Sequence, residues 1–254
     1  MDADVVAALL EAAASAAGEA VRAHTLAASN ARELRRRGHR PGQYQLDLTA
    51  DAAVLEVLAG AGVGVLSEES GLTDPGAPVV VVVDPVDGST NASRGIPWYA
   101  CSLCAVDADG PWQALVVNLA TGTRHTARRG EGAWRDGEPI TTSGSTMLSD
   151  SLVVLNGHPP AHFGWRQYRA LGATALDICA VADGSVDATI DCTHDAMGAW
   201  DYLGAMLVLT EAGGAGVDAL GRDLVVLDHD VRRTPVCAAT ADLLEQALAA
   251  RGTG

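Results

Sequence analysis

The sequence predicts a layered α/β protein, in which helices cover the faces of β-sheets. Three observations favour this class. Residues 78–85 read PVVVVVDP, an apolar β-branched run that is typical of a buried central strand. Residues 98–140 show strand patterns separated by turns, as in an antiparallel meander. Residues 151–250 alternate between helical and strand patterns.

In the first half we expect a helix over the Ala-rich residues 4–30 and a loop over the basic residues 32–42, which contain Gly and Pro. Thr49 is the predicted N-cap of a second helix, ADAAVLEVLAG. A short strand over residues 63–66 precedes the central strand. The meander is predicted to contain four strands, at residues 98–106, 112–118, 123–129 and 132–140.

A polar linker over residues 141–151 predicts a division into two halves. Residues 1–140 would form an N-terminal α+β half, and residues 141–254 a C-terminal α/β half. The strands predicted for the second half are residues 151–155, 186–190, 215–219, 224–227 and 235–240. The predicted helices are residues 173–182, 200–212 and 241–250.

The composition limits the function. The 254 residues carry a formal net charge of -15, which argues against nucleic acid or an anionic membrane as the main partner. No apolar run approaches the ~20 residues of a membrane span, and the N-terminus lacks the basic region of a signal peptide. The five cysteines show no framework spacing, so we expect a cytoplasmic protein. The basic residues are all Arg, which excludes a lysine-dependent P-loop and Schiff-base catalysis.

The segment with the most specific chemistry is DPVDGSTN, residues 84–91, directly after the valine run. Asp84 would end a buried strand, and Asp87 follows closely enough to share a cation with it. Gly88 permits a tight turn, and the backbone N–H groups after it offer an anion site. Hard oxygen ligands beside a phosphate cradle are what a magnesium-dependent phosphatase needs. The alternative is an acidic surface turn, because Asp-Pro-x-Asp-Gly is ordinary turn chemistry.

Two further segments favour the metal site. Residues 67–70, SEES, follow a short strand and could place Glu68 or Glu69 beside Asp84. Asp201 opens an apolar helix, although an acidic residue in a first turn ordinarily complements the helix dipole.

Taken together, these segments resemble the inositol monophosphatase family, which is magnesium-dependent and lithium-sensitive. The matching segments are S-E-E-S, D-P-V-D-G-S-T-N, W-D with E-A-G-G, residues 48–51 and residues 172–177. They extend from about residue 45 to residue 214. The resemblance implies an αβαβα sandwich of the sugar-phosphatase type, a phosphate monoester hydrolase and a homodimer.

The resemblance also implies a ligand set. One Mg²⁺ would bind Glu68, Asp84 and the carbonyl of Val86, and a second would bind Asp84, Asp87 and Asp201. A third, weaker ion would again use Glu68, so two to three Mg²⁺ and inhibition by Li⁺ are expected. The physics agrees, because four carboxylates repel one another unless cations occupy the site.

For catalysis, the resemblance pairs Glu68 with Ser89, where the family has Thr, to orient the attacking water. Asp51 would hydrogen-bond the Ser89 hydroxyl. The backbone N–H groups of Gly88 and Ser89, together with Asp87, would hold the phosphate. Among the arginines of the 32–42 loop, one could approach the site, although a solvated loop is expected for most.

On the substrate side, the resemblance points to Thr174 and to either Asp191 or His194. Residues 191–199 differ from the family pattern. The expected partner is therefore a small-molecule phosphate ester, with inositol monophosphate leading. Histidinol phosphate, fructose bisphosphate, 3′-phosphoadenosine phosphate or a nucleoside phosphate are alternatives. A non-catalytic regulatory binding protein on the same scaffold is the rival from another class.

Overall fold

Two β-sheets separated by helices form the computed structural model, which describes residues 1–40 and 42–252. Residue 41 of the predicted loop and residues 253–254 of the predicted C-terminal half lie outside the described residues. The helices are α1 Ala3–Ala27, α2 Ala31–Leu34, α3 Gln45–Leu58, α4 Ser89–Arg94, α5 Thr174–Ala182, α6 Ala199–Glu211 and α7 Ala241–Arg251, with a 3₁₀ turn at Leu148–Asp150. The strands are β1 Gly64–Ser67, β2 Gly71–Thr73, β3 Val80–Asp87, β4 Ala100–Asp107, β5 Gly110–Asn118, β6 Arg124–Arg128, β7 Gly132–Arg135, β8 Glu138–Pro139, β9 Leu152–Asn156, β10 Gln167–Arg169, β11 Ala188–Asp191, β12 Ala215–Asp218 and β13 Pro235–Ala238.

The larger sheet has eight strands in the order β2-β1-β3-β4-β5-β6-β7-β8, and the smaller has five in the order β10-β9-β11-β13-β12. Strand β3 contains the valine run and is buried along its whole length. It pairs in parallel with β1 and antiparallel with β4. The prediction of a buried central strand is therefore confirmed.

The apolar faces of the helices and sheets pack together into five layers. Helices α1 and α3 pack against one face of the larger sheet, and α5 and α6 fill the space between the two sheets. Helix α7 packs on the outer face of the smaller sheet. Val81 and Val83 face the α1–α3 side, whereas Val80 and Val82 face the middle layer, because successive strand residues alternate. The αβαβα sandwich is confirmed.

The division at residue 140 stays a prediction about folding units. The larger sheet ends at Pro139 and the smaller begins at Leu152, which agrees with the position of the polar linker. The helices of the middle layer pack against both sheets, so the two halves share a hydrophobic core.

Three local predictions are wrong. Helix α2, Ala31–Leu34, occupies the start of the segment predicted as a loop over residues 32–42. Helix α3 begins at Gln45 with Tyr44 as N-cap, so Thr49 lies one turn inside, where its Oγ1 donates to the Gln45 carbonyl at 2.9 Å. Residues 224–227 form no strand. The Leu224 carbonyl instead accepts a hydrogen bond of 2.8 Å from the Tyr202 hydroxyl, so it is not paired in a ladder.

The described helices include none that is both long and apolar enough to cross a membrane.

Candidate metal centre and active site

Three carboxylates converge where β3 meets the middle layer. Asp84 and Asp87 lie at the end of β3, and Asp201 lies in the first turn of α6. One oxygen of each lies within 4.8 Å of the others. Helix starts orient two of them: the Ala175 N–H donates to Asp87 Oδ2 at 2.7 Å, and the Gly198 N–H donates to Asp201 Oδ2 at 2.6 Å. The structure therefore brings together the three aspartates that the sequence singled out.

The end of β3 departs from regular pairing. Asp84 pairs with Ser102 and Asp87 with Ala100, which leaves Val86 in a bulge between them. The Val86 N–H turns back to donate to Asp84 Oδ1 at 2.9 Å. A bulge re-aims the chain locally and frees a backbone group from the ladder, which is compatible with the expected use of the Val86 carbonyl as a ligand.

Gly88 follows in the left-handed region with φ of 81°. A Cβ there would lie 2.9 Å from Ala173 Cβ and 3.0 Å from the Gly172 carbonyl oxygen. Glycine is therefore needed both for the turn and for the close approach of the segment before α5.

Replacing Gly88 with Ala is expected to destabilise the fold by about 2 kcal/mol and to lower turnover about tenfold. The added methyl group would push the 88–89 turn away from residues 172–173 and displace the backbone N–H groups predicted to hold phosphate. Urea unfolding and kcat/KM for one phosphate monoester measure the two effects. Gly144→Ala is the matched control, since Gly144 has φ of 71° and no atom within 4 Å of an added Cβ. Equal losses in the two variants would contradict a special role for Gly88.

The two adjacent glutamates have different surroundings. Glu69 pairs with Arg40 at 2.5 Å and is also bonded by the Gln43 amide. Glu68 forms no ion pair among the described residues, and its carboxyl group lies beside Asp84. Of the two glutamates, Glu68 is thus the one available for a metal, as the resemblance implied.

Arg40 is the loop arginine that reaches the site. Its Nη2 donates to the carbonyls of Glu68 and Glu69, each at 3.1 Å. The loop therefore fixes the backbone of the SEES segment.

Protein groups compensate the negative charge of the cluster only in part: the Gly198 N–H and Arg232 oppose the rise in the pKa of Asp201 but do not cancel it. Burial, and then repulsion from Glu68, Asp87 and Asp201, holds the pKa of Asp84 well above its usual range. Burial, and then repulsion from Glu68 and Asp87, does the same to the pKa of Asp201. Burial also raises the pKa values of Glu68 and Asp87. Carboxylate oxygens held this close are the hard ligands that Mg²⁺ prefers, so the residues fit the metal.

The structure assigns different positions to two aspartates of α3. Asp51 accepts hydrogen bonds from the hydroxyls of Ser67, at 2.5 Å, and Ser70. Asp47, one turn earlier, lies beside Ser89. Burial raises the pKa of Asp47 to about 7, and the Ser89 hydroxyl opposes this rise. The structure therefore places Asp47 beside Ser89 and pairs Asp51 with Ser67 and Ser70, because α3 starts four residues before Thr49. The catalytic role of Asp51 stays a prediction.

The two carboxylate oxygens of Asp47 differ in their hydrogen bonding. Its Oδ2 accepts from the Tyr44 N–H at 2.8 Å, but its buried Oδ1 has no hydrogen-bond partner among the described residues. Buried carboxylate oxygens are ordinarily satisfied, so this atom indicates a water or ligand position. Because the N-cap residue is Tyr44, which is not a preferred capping residue, the local sequence held no standard capping signal for Asp47.

A cavity of about 270 Å³ opens at this place. It is lined by Arg40, Gly42, Gln43, Asp47, Glu68, Glu69, Ser89, Trp200 and Arg232. A larger cavity, about 560 Å³, lies along α1 and is lined by no residue of the carboxylate cluster.

The residues expected on the substrate side lie apart from that cavity. Thr174 and Asp191 line a separate, tight space of about 10 Å³. Asp191 Oδ1 accepts from the Asn156 amide at 2.9 Å, and its buried Oδ2 has no hydrogen-bond partner among residues 1–40 and 42–252. His194 is exposed. Thr174 is thus close to the metal cluster through Ala175 and Asp87, whereas Asp191 is held within its own strand region.

Comparison with known proteins agrees with this fold. A model described as the inositol monophosphatase family matches residues 2–252. The fructose-1,6-bisphosphatase/inositol-1-monophosphatase of Archaeoglobus fulgidus is 36% identical over 70% of this chain and 71% of its own length. The inositol-1-monophosphatase of Mesorhizobium japonicum is 30% identical over 75% of this chain and 80% of its own. A solved structure described as an inositol monophosphatase–fructose 1,6-bisphosphatase superposes with a TM-score of 0.84 at 22% identity, over 98% of this chain and 100% of that one.

Proposed function

Because the chain belongs to the inositol monophosphatase family and is therefore a phosphatase, we propose that it hydrolyses the phosphate monoester of a small polyol or sugar, with inositol monophosphate as the leading substrate. The observation that carries the proposal is the meeting of Asp84, Asp87 and Asp201 beside the cavity that contains Ser89. A non-catalytic regulatory protein would have no need of buried carboxylates that repel one another.

One Mg²⁺ would be held by Glu68, Asp84 and the Val86 carbonyl. A second would be held by Asp84, Asp87 and Asp201, and a weaker third would again use Glu68. When bound, Mg²⁺ supplies positive charge to the phosphoryl oxygens and lowers the pKa of water. Li⁺ is expected to inhibit.

The chain's own groups would perform the remaining steps. The Ser89 hydroxyl and the Glu68 carboxylate orient the attacking water, and Asp47 accepts the hydrogen bond of Ser89. The N–H groups of Gly88 and Ser89 donate to the phosphoryl oxygens. Attack in line needs no covalent phosphoenzyme.

A second substrate is favoured by a specific observation. Relatives from Archaeoglobus fulgidus and Thermococcus kodakarensis are both named fructose-1,6-bisphosphatase/inositol-1-monophosphatase, at 36% and 31% identity. Fructose 1,6-bisphosphate is therefore the first alternative to inositol monophosphate. We also propose a homodimer, from the family resemblance, that works in a reducing cytoplasm, which is supported by the five free cysteines.

Phosphate release from a panel of monoesters, with and without Mg²⁺, tests the proposal. The panel contains inositol monophosphate, fructose 1,6-bisphosphate, histidinol phosphate, 3′-phosphoadenosine phosphate and a nucleoside monophosphate. We expect turnover that disappears on exhaustive chelation and returns when Mg²⁺ is added. Turnover that survives chelation would contradict the metal-dependent mechanism, and Mg²⁺ binding without turnover of any ester would favour a binding protein.

A further inference from the structure

The loop between β12 and β13, residues 219–234, is anchored to the active-site layer at several points. Arg222 bonds both Asp218 oxygens, at 2.8 and 2.9 Å, and Asp195 at 2.6 Å. Arg233 and Met197 exchange two backbone hydrogen bonds of 2.8 and 3.1 Å. These contacts hold the loop in one position over the start of α6.

The same loop contacts the SEES segment directly. His229 Nε2 donates to the Glu68 carbonyl at 2.9 Å, and the His229 ring lies 4.9 Å from the Trp200 ring. The loop therefore contacts the backbone of Glu68, a predicted metal ligand. It also packs against Trp200, which precedes Asp201, another predicted ligand.

Arg232, in the same loop, is held by contacts with its neighbours. Its Nη1 donates to the carbonyls of His229 and Val231, at 2.6 and 3.0 Å. Its guanidinium carbon lies 4.8 Å from the centre of the Trp200 ring. It forms part of the wall of the 270 Å³ cavity, together with Glu68 and Ser89. The side chain is thus ordered by contacts whose hydrogen bonds use Nη1 alone.

The electrostatic partner of the Arg232 charge is Asp201: Arg232 opposes the rise that burial causes in the pKa of Asp201, without forming an ion pair with it. Among the described residues, no carboxylate oxygen lies within 4.0 Å of the Arg232 guanidinium, and its hydrogen bonds use Nη1 alone. Arg40 and Arg222, by contrast, both pair with carboxylates. A guanidinium that is held rigidly beside a cavity, with donors unused, is suited to an anion that enters from solvent.

The position of Arg232 within the site indicates which anion it would bind. Attacking water and leaving group must lie on opposite sides of the phosphorus atom. Asp47, Glu68 and Ser89, the groups proposed to orient the water, line the same cavity as Arg232, whereas Thr174 and Asp191 line the other one. Arg232 therefore lines the same cavity as the groups proposed to orient the water, within which the phosphoryl oxygens would also lie.

We propose that Arg232 is a further catalytic residue, which binds non-bridging oxygens of the phosphoryl group from the wall of the cavity and stabilises their charge in the transition state. The proposal rests on the phosphatase function proposed above. A preorganised cation at developing charge is among the strongest contributions to catalysis.

Arg232→Gln tests it, with Arg232→Lys as the conservative variant and the exposed Arg166→Gln as a control for net charge. We expect Arg232→Gln to lower kcat about 10- to 100-fold, with KM changed less than about threefold. Lysine is expected to recover part of the loss, because it keeps the charge but not the planar fork. The inhibition constant of inorganic phosphate should change as little as KM, because both report binding in the ground state.

Thermal unfolding with and without Mg²⁺ separates this role from a structural one. If Arg232 acts on the phosphoryl group, the stabilisation of Arg232→Gln by Mg²⁺ matches that of the wild type. Loss of that stabilisation, kcat within about twofold of the wild type, or a KM effect limited to bisphosphates would each overturn the proposal. A wild type without turnover would overturn the phosphatase function as well, whereas an active wild type with an unaffected variant overturns Arg232 alone.

Discussion

Replacing Asp84 with Asn is expected to lower kcat/KM at least about a thousandfold while making the metal-free protein more stable. Asp84 is 1% exposed and lies between the two groups of ligands proposed for Mg²⁺. The loss of activity follows because Asn carries no charge and would weaken both ions. The gain in stability follows because Glu68, Asp87 and Asp201 all repel the Asp84 carboxylate.

Two measurements check the expected loss of activity and the expected gain in stability. Steady-state kinetics in saturating Mg²⁺ give the loss of activity, and thermal unfolding in a chelator gives the gain in stability. The wild type should gain stability on addition of Mg²⁺, since an ion that binds the folded state stabilises it, and Asp84→Asn should gain much less. Asp109→Asn, in the β4–β5 turn with a side chain 87% exposed, controls for the loss of one negative charge. An Asp84→Asn enzyme with near-normal turnover would show that the site has been placed wrongly.

Local patterns were sufficient for the central part of the site. The valine run indicated a buried strand, and Asp-Pro-Val-Asp-Gly directly after it would place both aspartates at the end of that strand, although an acidic surface turn was the alternative. The likeness of separate segments to one family then connected Asp201 with them. The meeting of β3 with the start of α6 is a tertiary contact, which no local pattern in the chain specifies.

The register of α3 could not be read in the same way. Thr49 has the chemistry of an N-cap, and Asp51 follows it in the order that the family resemblance requires. The structure begins the helix at Gln45, where Asp47 accepts from the N–H of the N-cap residue Tyr44. The capping contact depends on backbone geometry, so a favourable residue type at position 49 was not sufficient to place the start of the helix.

Long-range contacts of the loops were equally inaccessible. No local feature of Arg40 indicates a contact with Glu69, which exists only because β1 ends nearby. The position of Arg232 likewise depends on anchors from Asp195, Asp218 and Glu68, which are distant in the chain.

The corrected register of α3 separates the roles of its two aspartates. Asp47→Asn is expected to lower kcat at least about a hundredfold with little effect on folding, because the variant loses the charge that supports Ser89 beside the water position. Asp51→Asn is expected to lower the free energy of unfolding by about 2 kcal/mol, because one hydrogen bond from Ser67 or Ser70 to a buried carboxylate is lost.

The two variants remove the same charge from the same helix, one turn apart, so each serves as the control for the other. Turnover and urea unfolding on both proteins measure the four quantities. The residue whose loss affects turnover without a matching loss of stability is the one that acts on Ser89. If Asp51→Asn shows the larger fall in kcat, the sequence-based assignment of Asp51 is restored, and the orphaned Oδ1 of Asp47 belongs to a structural water instead. If Asp47→Asn does, the partner of Ser89 is set by where the helix begins and not by the order of residues in the family motif.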